Sequence, residues 1–234
     1  MREPPAAGDR PDPGTKMSGE VFDRLAERYD AWFAEPPGAD IFRSEVQCVV
    51  RLMPEDRAGW VEVGVGSGRF ARALGIPEGV DPSEPLLEMA AARGVRAVRA
   101  VAEALPYADD SLDGVLLVVT ICFLDRPERA MREFARVLRP DGRLLVGFVP
   151  ADSAWGQHYK RSAQQGHPFY SVARFYTCEE VRQTAAAAGF RLVGAASTLP
   201  AGPEEAPARP TVLDGIDPDC GFVAMMFAAG DEPV

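Results

Sequence analysis

Three glycines at alternate positions, Gly64, Gly66 and Gly68, follow the short apolar run 59–63. Glycine at this spacing lets a backbone approach a ligand closely and turn sharply into a following helix. A dinucleotide fingerprint would place its third glycine one residue later, where Arg69 stands. A phosphate-binding loop would end in Gly-Lys-Ser or Gly-Lys-Thr, and that ending is absent. The turn therefore reads as a ligand-wrapping loop that matches neither phosphate signature. Glu62 stands two residues before Gly64. A second acid, Asp81, closes the next apolar run within Gly79-Val80-Asp81-Pro82-Ser83. A carboxylate there can accept both hydroxyl hydrogens of a ribose, or sit favourably at a helix N-terminus. Three further segments fall in order: Ala102-Glu103-Ala104-Leu105-Pro106, Asp109-Asp110-Ser111-Leu112-Asp113 and Leu138-Arg139-Pro140-Asp141-Gly142. Each is ordinary alone, and their order and spacing are informative together.

These residues need a scaffold, and strand and helix signals alternate to provide one. Strands are expected at 59–63, ending at 79–80, at 95–101, 112–119 and 143–149, with helices at 69–74, 83–93 and 127–138 between them. Such alternation implies a parallel sheet covered on both faces. Ser83 is an expected N-cap, and Pro127 opens a first helical turn. Upstream, Val21, Leu25, Tyr29 and Trp32 or Phe33 recur at helical spacing over 21–33, and a second helix is expected at 40–52. Downstream, Thr177 and Glu180 form an expected capping box for a helix that Gly189 stops. Strands at 190–198 and 222–228 follow, joined by a proline-rich stretch.

The ordered motifs resemble class I S-adenosylmethionine-dependent methyltransferases of the broad type 11 group, which includes quinone-biosynthesis enzymes. Glu62, Gly64, Gly66 and Gly68 fit the family's E/D-x-G-x-G-x-G, and Asp81 matches its ribose acid. Ala102 to Tyr107 fit A-E-x-L-P-F/Y, and Leu138 to Gly142 fit L-R-P-G-G with Asp141 replacing a glycine. Many relatives place an aspartate before Ala102 to contact the adenine amine, where this chain has Val101. A closer resemblance, on Thr120-Ile121-Cys122-Phe123 and Ala173-Arg174-Phe175-Tyr176, is to small uncharacterised bacterial methyltransferases. The resemblance implies a Rossmann-like α/β fold, a seven-stranded mostly parallel sheet with an antiparallel C-terminal strand and helices on both faces. It implies S-adenosyl-L-methionine as cofactor, bound by Glu62, Gly64, Gly66, Gly68, Asp81, Pro82, Ala102, Glu103 and Thr120. It also implies methyl transfer by in-line displacement to a small-molecule acceptor.

The expected organisation is a disordered tail at 1–17 and one methyltransferase domain at 18–234. Within it, 18–55 is a helical lid, 151–176 a substrate-side insertion and 200–219 a proline-rich loop. Acceptor-pocket candidates are Tyr29, Trp32, Phe33, Cys122, Phe123, His167, Tyr170, Arg174 and Tyr176. Plain helix packing is the competing reading for Trp32 and Phe33, and a small buried apolar role the stronger one for Cys122. For His158 and His167 a surface role outweighs that of a base. No catalytic residue is assigned. The alternatives are a non-catalytic module that binds S-adenosylmethionine or S-adenosylhomocysteine, and a nucleotide-dependent oxidoreductase.

Composition bounds the rest. The chain has 234 residues, 47% of them hydrophobic, and a net charge of −10, which argues against a phosphate-backbone substrate. Cys48, Cys122, Cys178 and Cys220 form no CxxC pair, and no metal site is expected. The longest apolar run, 115–124, is too short to span a bilayer as a helix, so no membrane insertion is expected. A cytoplasmic protein of a GC-rich bacterium is the expectation, and the oligomeric state is left open.

Overall fold

The computed structural model describes residues 17–205 and 210–230. The expected tail, apart from Met17, lies outside the described residues. Three helices come first: α1 (Met17–Arg24), α2 (Ala26–Trp32) and α3 (Gly38–Val50). The alternating part follows as β1 (Trp60–Val63), α4 (Arg69–Leu74), β2 (Glu78–Asp81), α5 (Glu84–Ala92), β3 (Arg96–Arg99), β4 (Leu112–Val118), α6 (Pro127–Val137) and β5 (Leu138–Phe148). The last part holds α7 (Ala154–Gln164), α8 (Cys178–Ala186), β6 (Phe190–Thr198), β7 (Val212–Asp214) and β8 (Phe222–Ala229).

One sheet runs in the order β3-β2-β1-β4-β5-β8-β6-β7. The first five strands are parallel, and β8 lies antiparallel between β5 and β6. The fold is the Rossmann-like α/β sheet expected, with one strand more: β7 forms inside the proline-rich stretch and pairs with the end of β6. Strand order reverses between β1 and β4, and open parallel sheets bind ligands at such a switch point, beyond the strands' carboxyl ends.

The central strands are buried on both faces. In β4, Val115 and Leu117 join the core under α6 and α8, while Leu116 and Val118 join the core under α3, α4 and α5. Because alternate side chains are buried on opposite faces, 115–118 reads as a continuous apolar run rather than an alternating one. Thr177 caps α8 with the full capping box, its side chain accepting from the Glu180 N–H at 3.1 Å.

Two local expectations change. The single amphipathic helix over 21–33 is broken at Leu25, where φ is −120° and ψ 23°. No glycine or proline marks that break. Phe22 packs 5.0 Å from Phe123 and 5.2 Å from Phe169, so tertiary aromatic contact overrides local helical preference. The gap at 139–142, between the helix expected at 127–138 and the strand expected at 143–149, is a bulge within β5. Leu138 pairs with Leu112 and Arg143 with Gly114, so five residues of β5 advance against two of β4.

Gly68 shows what the third glycine of the turn does. Its φ is +79°, and a Cβ there would lie 2.9 Å from the Ala90 Cα on α5. It serves close packing of the turn against α5. Gly68→Ala is expected to lower unfolding free energy by about 1–3 kcal/mol, read from denaturant midpoints, through strain and overpacking together.

Candidate active site

Two adjoining cavities open at the switch point. The smaller, about 130 Å³, is lined by Gly64, Gly66, Asp81, Pro82, Ala102, Glu103 and Thr120 among others. The larger, about 300 Å³, is lined by Tyr29, Trp32, Phe33, Cys122, Phe123, His167, Tyr170 and Tyr176 among others. Phe22, Tyr29, Val119 and Phe123 line both and form the wall between them.

In the smaller cavity the Asp81 carboxylate accepts from the Gly66 N–H and the Ser83 N–H, both at 2.9 Å. Each oxygen keeps a free lone-pair direction, since a carboxylate accepts about four hydrogen bonds. Burial pushes the carboxyl up to about 6, against those two N–H groups, which favour the charge. The Ser83 hydroxyl is buried without a hydrogen-bond partner among the described residues, so it is free to meet a ligand. A side chain on Gly64 would collide with Thr120, and one on Gly66 would approach the Tyr29 ring at 3.4 Å. The turn thus stays bare where it faces Thr120 and Tyr29.

Glu62 and Gly68 do not line this cavity. Glu62 is buried beneath the turn and accepts from the Ala71 N–H, in the first turn of α4. It anchors the loop to that helix, and burial raises its carboxyl well above the usual range. The Ala102–Tyr107 segment is likewise held from behind. Glu133 of α6 accepts from the Leu105 N–H at 2.8 Å, Arg136 donates to the Tyr107 carbonyl at 2.9 Å, and the Tyr107 hydroxyl donates to Glu78 at 2.8 Å. Glu103 accepts from the Arg126 N–H at 3.2 Å. Val101 is 38% exposed and lines the cavity without a polar group to offer.

Val119 connects the cavities. It has φ +49°, a left-handed conformation that is uncommon for a β-branched residue. Its N–H donates to the Gly147 carbonyl at 2.8 Å, which holds the strained residue at the end of β4.

The larger cavity is built by four parts of the chain: α1 to α3, residues 119–123 after β4, Phe148 and Val149 at the end of β5, and 159–176. Tyr159 stacks on Tyr170 at 4.4 Å, and Tyr170 on His167 at 4.2 Å. Partial burial and the Arg28 charge lower the His167 pKa. Cys122 is half-buried, and burial pushes its thiol up to about 12, so the neutral, apolar form persists. Arg174 does not line the cavity. Its guanidinium lies over the Tyr176 ring at 4.8 Å, and its backbone N–H donates to the Cys122 carbonyl at 2.8 Å. His158 is exposed and outside both cavities. Among the described residues, no three Asp, Glu, His or Cys side chains gather as a metal group would require.

Two functional features escaped sequence reasoning. One is Glu45, the single acid in the larger cavity. Its signal was present: Ile41, Glu45, Cys48 and Val49 share the buried stripe of α3, so an acid stands on an apolar face. The other is Asp30 on α2, which accepts from the Ser67 hydroxyl at 2.5 Å, from Arg69 at 2.7 and 2.9 Å, and from Arg93 at 2.7 Å. Partial burial pushes this carboxyl up, but the hydrogen bonds from Arg69, Ser67 and Arg93 prevail and hold it at about 2. No local pattern signals it, because the partners lie 37 to 63 residues away. Asp30→Ala would leave two guanidinium groups without their shared partner. The expected result is a loss of about 1–3 kcal/mol in unfolding free energy by denaturant titration.

Known proteins give the chemistry a name. The profile of the methyltransferase domain family matches residues 61–146, from β1 into β5. An uncharacterised Mycobacterium tuberculosis protein is 38% identical over 215 residues, covering 91% of this chain and 75% of that protein. A solved structure from Thermotoga maritima, an S-adenosylmethionine-dependent methyltransferase named a possible histamine N-methyltransferase, superposes with TM-score 0.84; it is 38% identical, and the match covers 90% of this chain and 99% of that one. The chain belongs to the class I S-adenosylmethionine-dependent methyltransferases. An uncharacterised Methanocaldococcus jannaschii protein is 35% identical to this methyltransferase over 179 residues, 76% of this chain and 85% of that one. The methyl donor of this family is S-adenosylmethionine. Among the described residues, no helix is long and apolar enough to cross a membrane.

Proposed function

We propose that this methyltransferase holds S-adenosylmethionine in the smaller cavity and transfers its methyl group to a small molecule in the larger one. The reading rests on one observation: the two cavities share the wall of Phe22, Tyr29, Val119 and Phe123. Asp81 would take the ribose hydroxyls, the bare Gly64–Gly66 turn the amino-acid end, Thr120 the neighbourhood of the sulfur, and Pro82, Val101, Ala102 and Glu103 the adenine. Ser83 would supply a further hydroxyl at the ribose.

S-adenosylmethionine supplies an electrophilic methyl group on a positively charged sulfur. The chain's own contribution is alignment and exclusion of water. Aromatic faces on the shared wall favour a nearby cation. Displacement at a methyl carbon requires the nucleophile in line, and holding it so supplies most of the acceleration. Segments 18–55 and 151–176 act as lid and acceptor wall, with Asp30 tying the lid to the turn.

Calorimetric titration with S-adenosylmethionine, followed by radiolabelled methyl transfer to small molecules, tests this reading. Micromolar binding and transfer to one acceptor are expected. Binding with no transfer to any acceptor would favour the regulatory-module reading, and binding of NAD instead would overturn both.

A further inference from the structure

The larger cavity presents an imbalance. Eleven of its nineteen lining residues are Phe, Tyr or Trp, and Glu45 is its one acid. Glu45 is 4% exposed, and among the described residues its carboxyl makes neither a hydrogen bond nor an ion pair. Buried polar groups are normally partnered, and an unpartnered one is stabilised when a ligand supplies the partner. The helix leaves Glu45 no other place to go, because Ile41, Cys48 and Val49 fix that face of α3 into the core.

The surroundings say which partner fits. Tyr29, Tyr159 and Tyr170 lie close enough to feel the Glu45 charge, and burial raises all three phenols, so they stay neutral donors. The nearby Cys48 thiol is also held neutral by burial, at about 12. Burial likewise raises the Cys122 thiol and the Tyr176 phenol, so both stay neutral. Arg28 and His167 are the remaining charged or titratable groups of the lining; Arg28 is exposed, and His167 is biased towards its neutral form. Aromatic faces with one carboxylate attract a cation through ring quadrupoles and charge together.

We infer that the larger cavity selects a small aromatic amine, whose ammonium pairs with the Glu45 carboxylate while its ring packs among the tyrosines and phenylalanines. The inference rests on the proposed acceptor role of this cavity. A cavity of about 300 Å³ suits a compact molecule rather than a peptide or a polymer.

Calorimetry on the full chain tests it, with phenethylamine and tryptamine, the isosteric neutral 2-phenylethanol and the anion phenylacetate as probes. The amines are expected to bind wild-type protein at least about tenfold more tightly than the alcohol or the acid. E45Q is expected to lose about tenfold for the amines and to bind the alcohol within about twofold of wild type. Equal binding of amine and alcohol, tighter binding of phenylacetate, indifference of the amines to E45Q, or failure of both amines to bind each overturns it. Discrimination by the wild type is informative even if E45Q does not fold. S-adenosylmethionine is titrated into the same samples. If it binds while the amines fail, only this inference falls; if it does not bind, the methyl-transfer reading falls instead.

Discussion

Replacing Asp81 with alanine is expected to weaken S-adenosylmethionine binding by about 1–3 kcal/mol, or roughly five- to 150-fold, measured by calorimetry. Two losses combine. Under the proposed assignment the ribose hydroxyls would lose the Asp81 carboxylate, and the Gly66 and Ser83 N–H groups would lose the acceptor that shapes the turn. Asp81→Asn separates them, because an amide keeps one acceptor oxygen and substitutes a donor for the other. It should hold the Ser83 or the Gly66 contact but not both, and bind the cofactor with intermediate affinity. The carboxyl titrates at about 6 because burial opposes its charge. Protonation turns an acceptor into a donor, so affinity should fall as pH drops through about 6 and stay flat above 7. In Asp81→Ala that inflection should vanish. Unchanged affinity in both variants would remove Asp81 from the ribose role.

The parts of this molecule that were readable in sequence are those whose causes are local. Glycine alternation, the capping box at Thr177 and Glu180, and the apolar run of β4 each follow from a few neighbouring residues and one backbone rule. The parts that were not readable depend on distant partners. Asp30 reads as one charge on a solvated helix face until Arg69 and Arg93 are seen to converge on it. The break at Leu25 follows from aromatic neighbours more than ninety residues downstream, and β7 from a three-residue pairing with the end of β6. Glu62 and Gly68 teach a further distinction. Both belong to the glycine-rich motif, yet one reaches under the turn to α4 and the other packs on α5. A motif therefore marks the residues that build a loop as well as those that line its cavity, and sequence alone does not divide the two groups.

Glu45→Gln carries the largest expected effect on stability. Burial pushes the Glu45 carboxyl up from 4.5 to about 8. The folded state therefore holds the proton more tightly than the unfolded chain. Between these two values the folded state binds more protons, so stability falls as pH rises, with a slope of up to about 1.4 kcal/mol per unit. Across the window the loss is on the order of 4–5 kcal/mol, a large share of a typical folding free energy. Glutamine has nearly the same shape and never ionises. The variant and the wild type should be about equally stable near pH 4.5. They should diverge through the window, with the variant ahead by about 3–5 kcal/mol above pH 8. Denaturant titrations at several pH values measure this directly. The difference curve isolates Glu45 from Asp81, whose raised carboxyl contributes equally to both proteins. A pH-independent difference would mean that water reaches the carboxyl and that its burial costs little. The same ionisation cost that weakens the empty protein is the free energy an ammonium group would recover on pairing with Glu45, so a bound amine should flatten the wild-type curve and leave that of the variant unchanged.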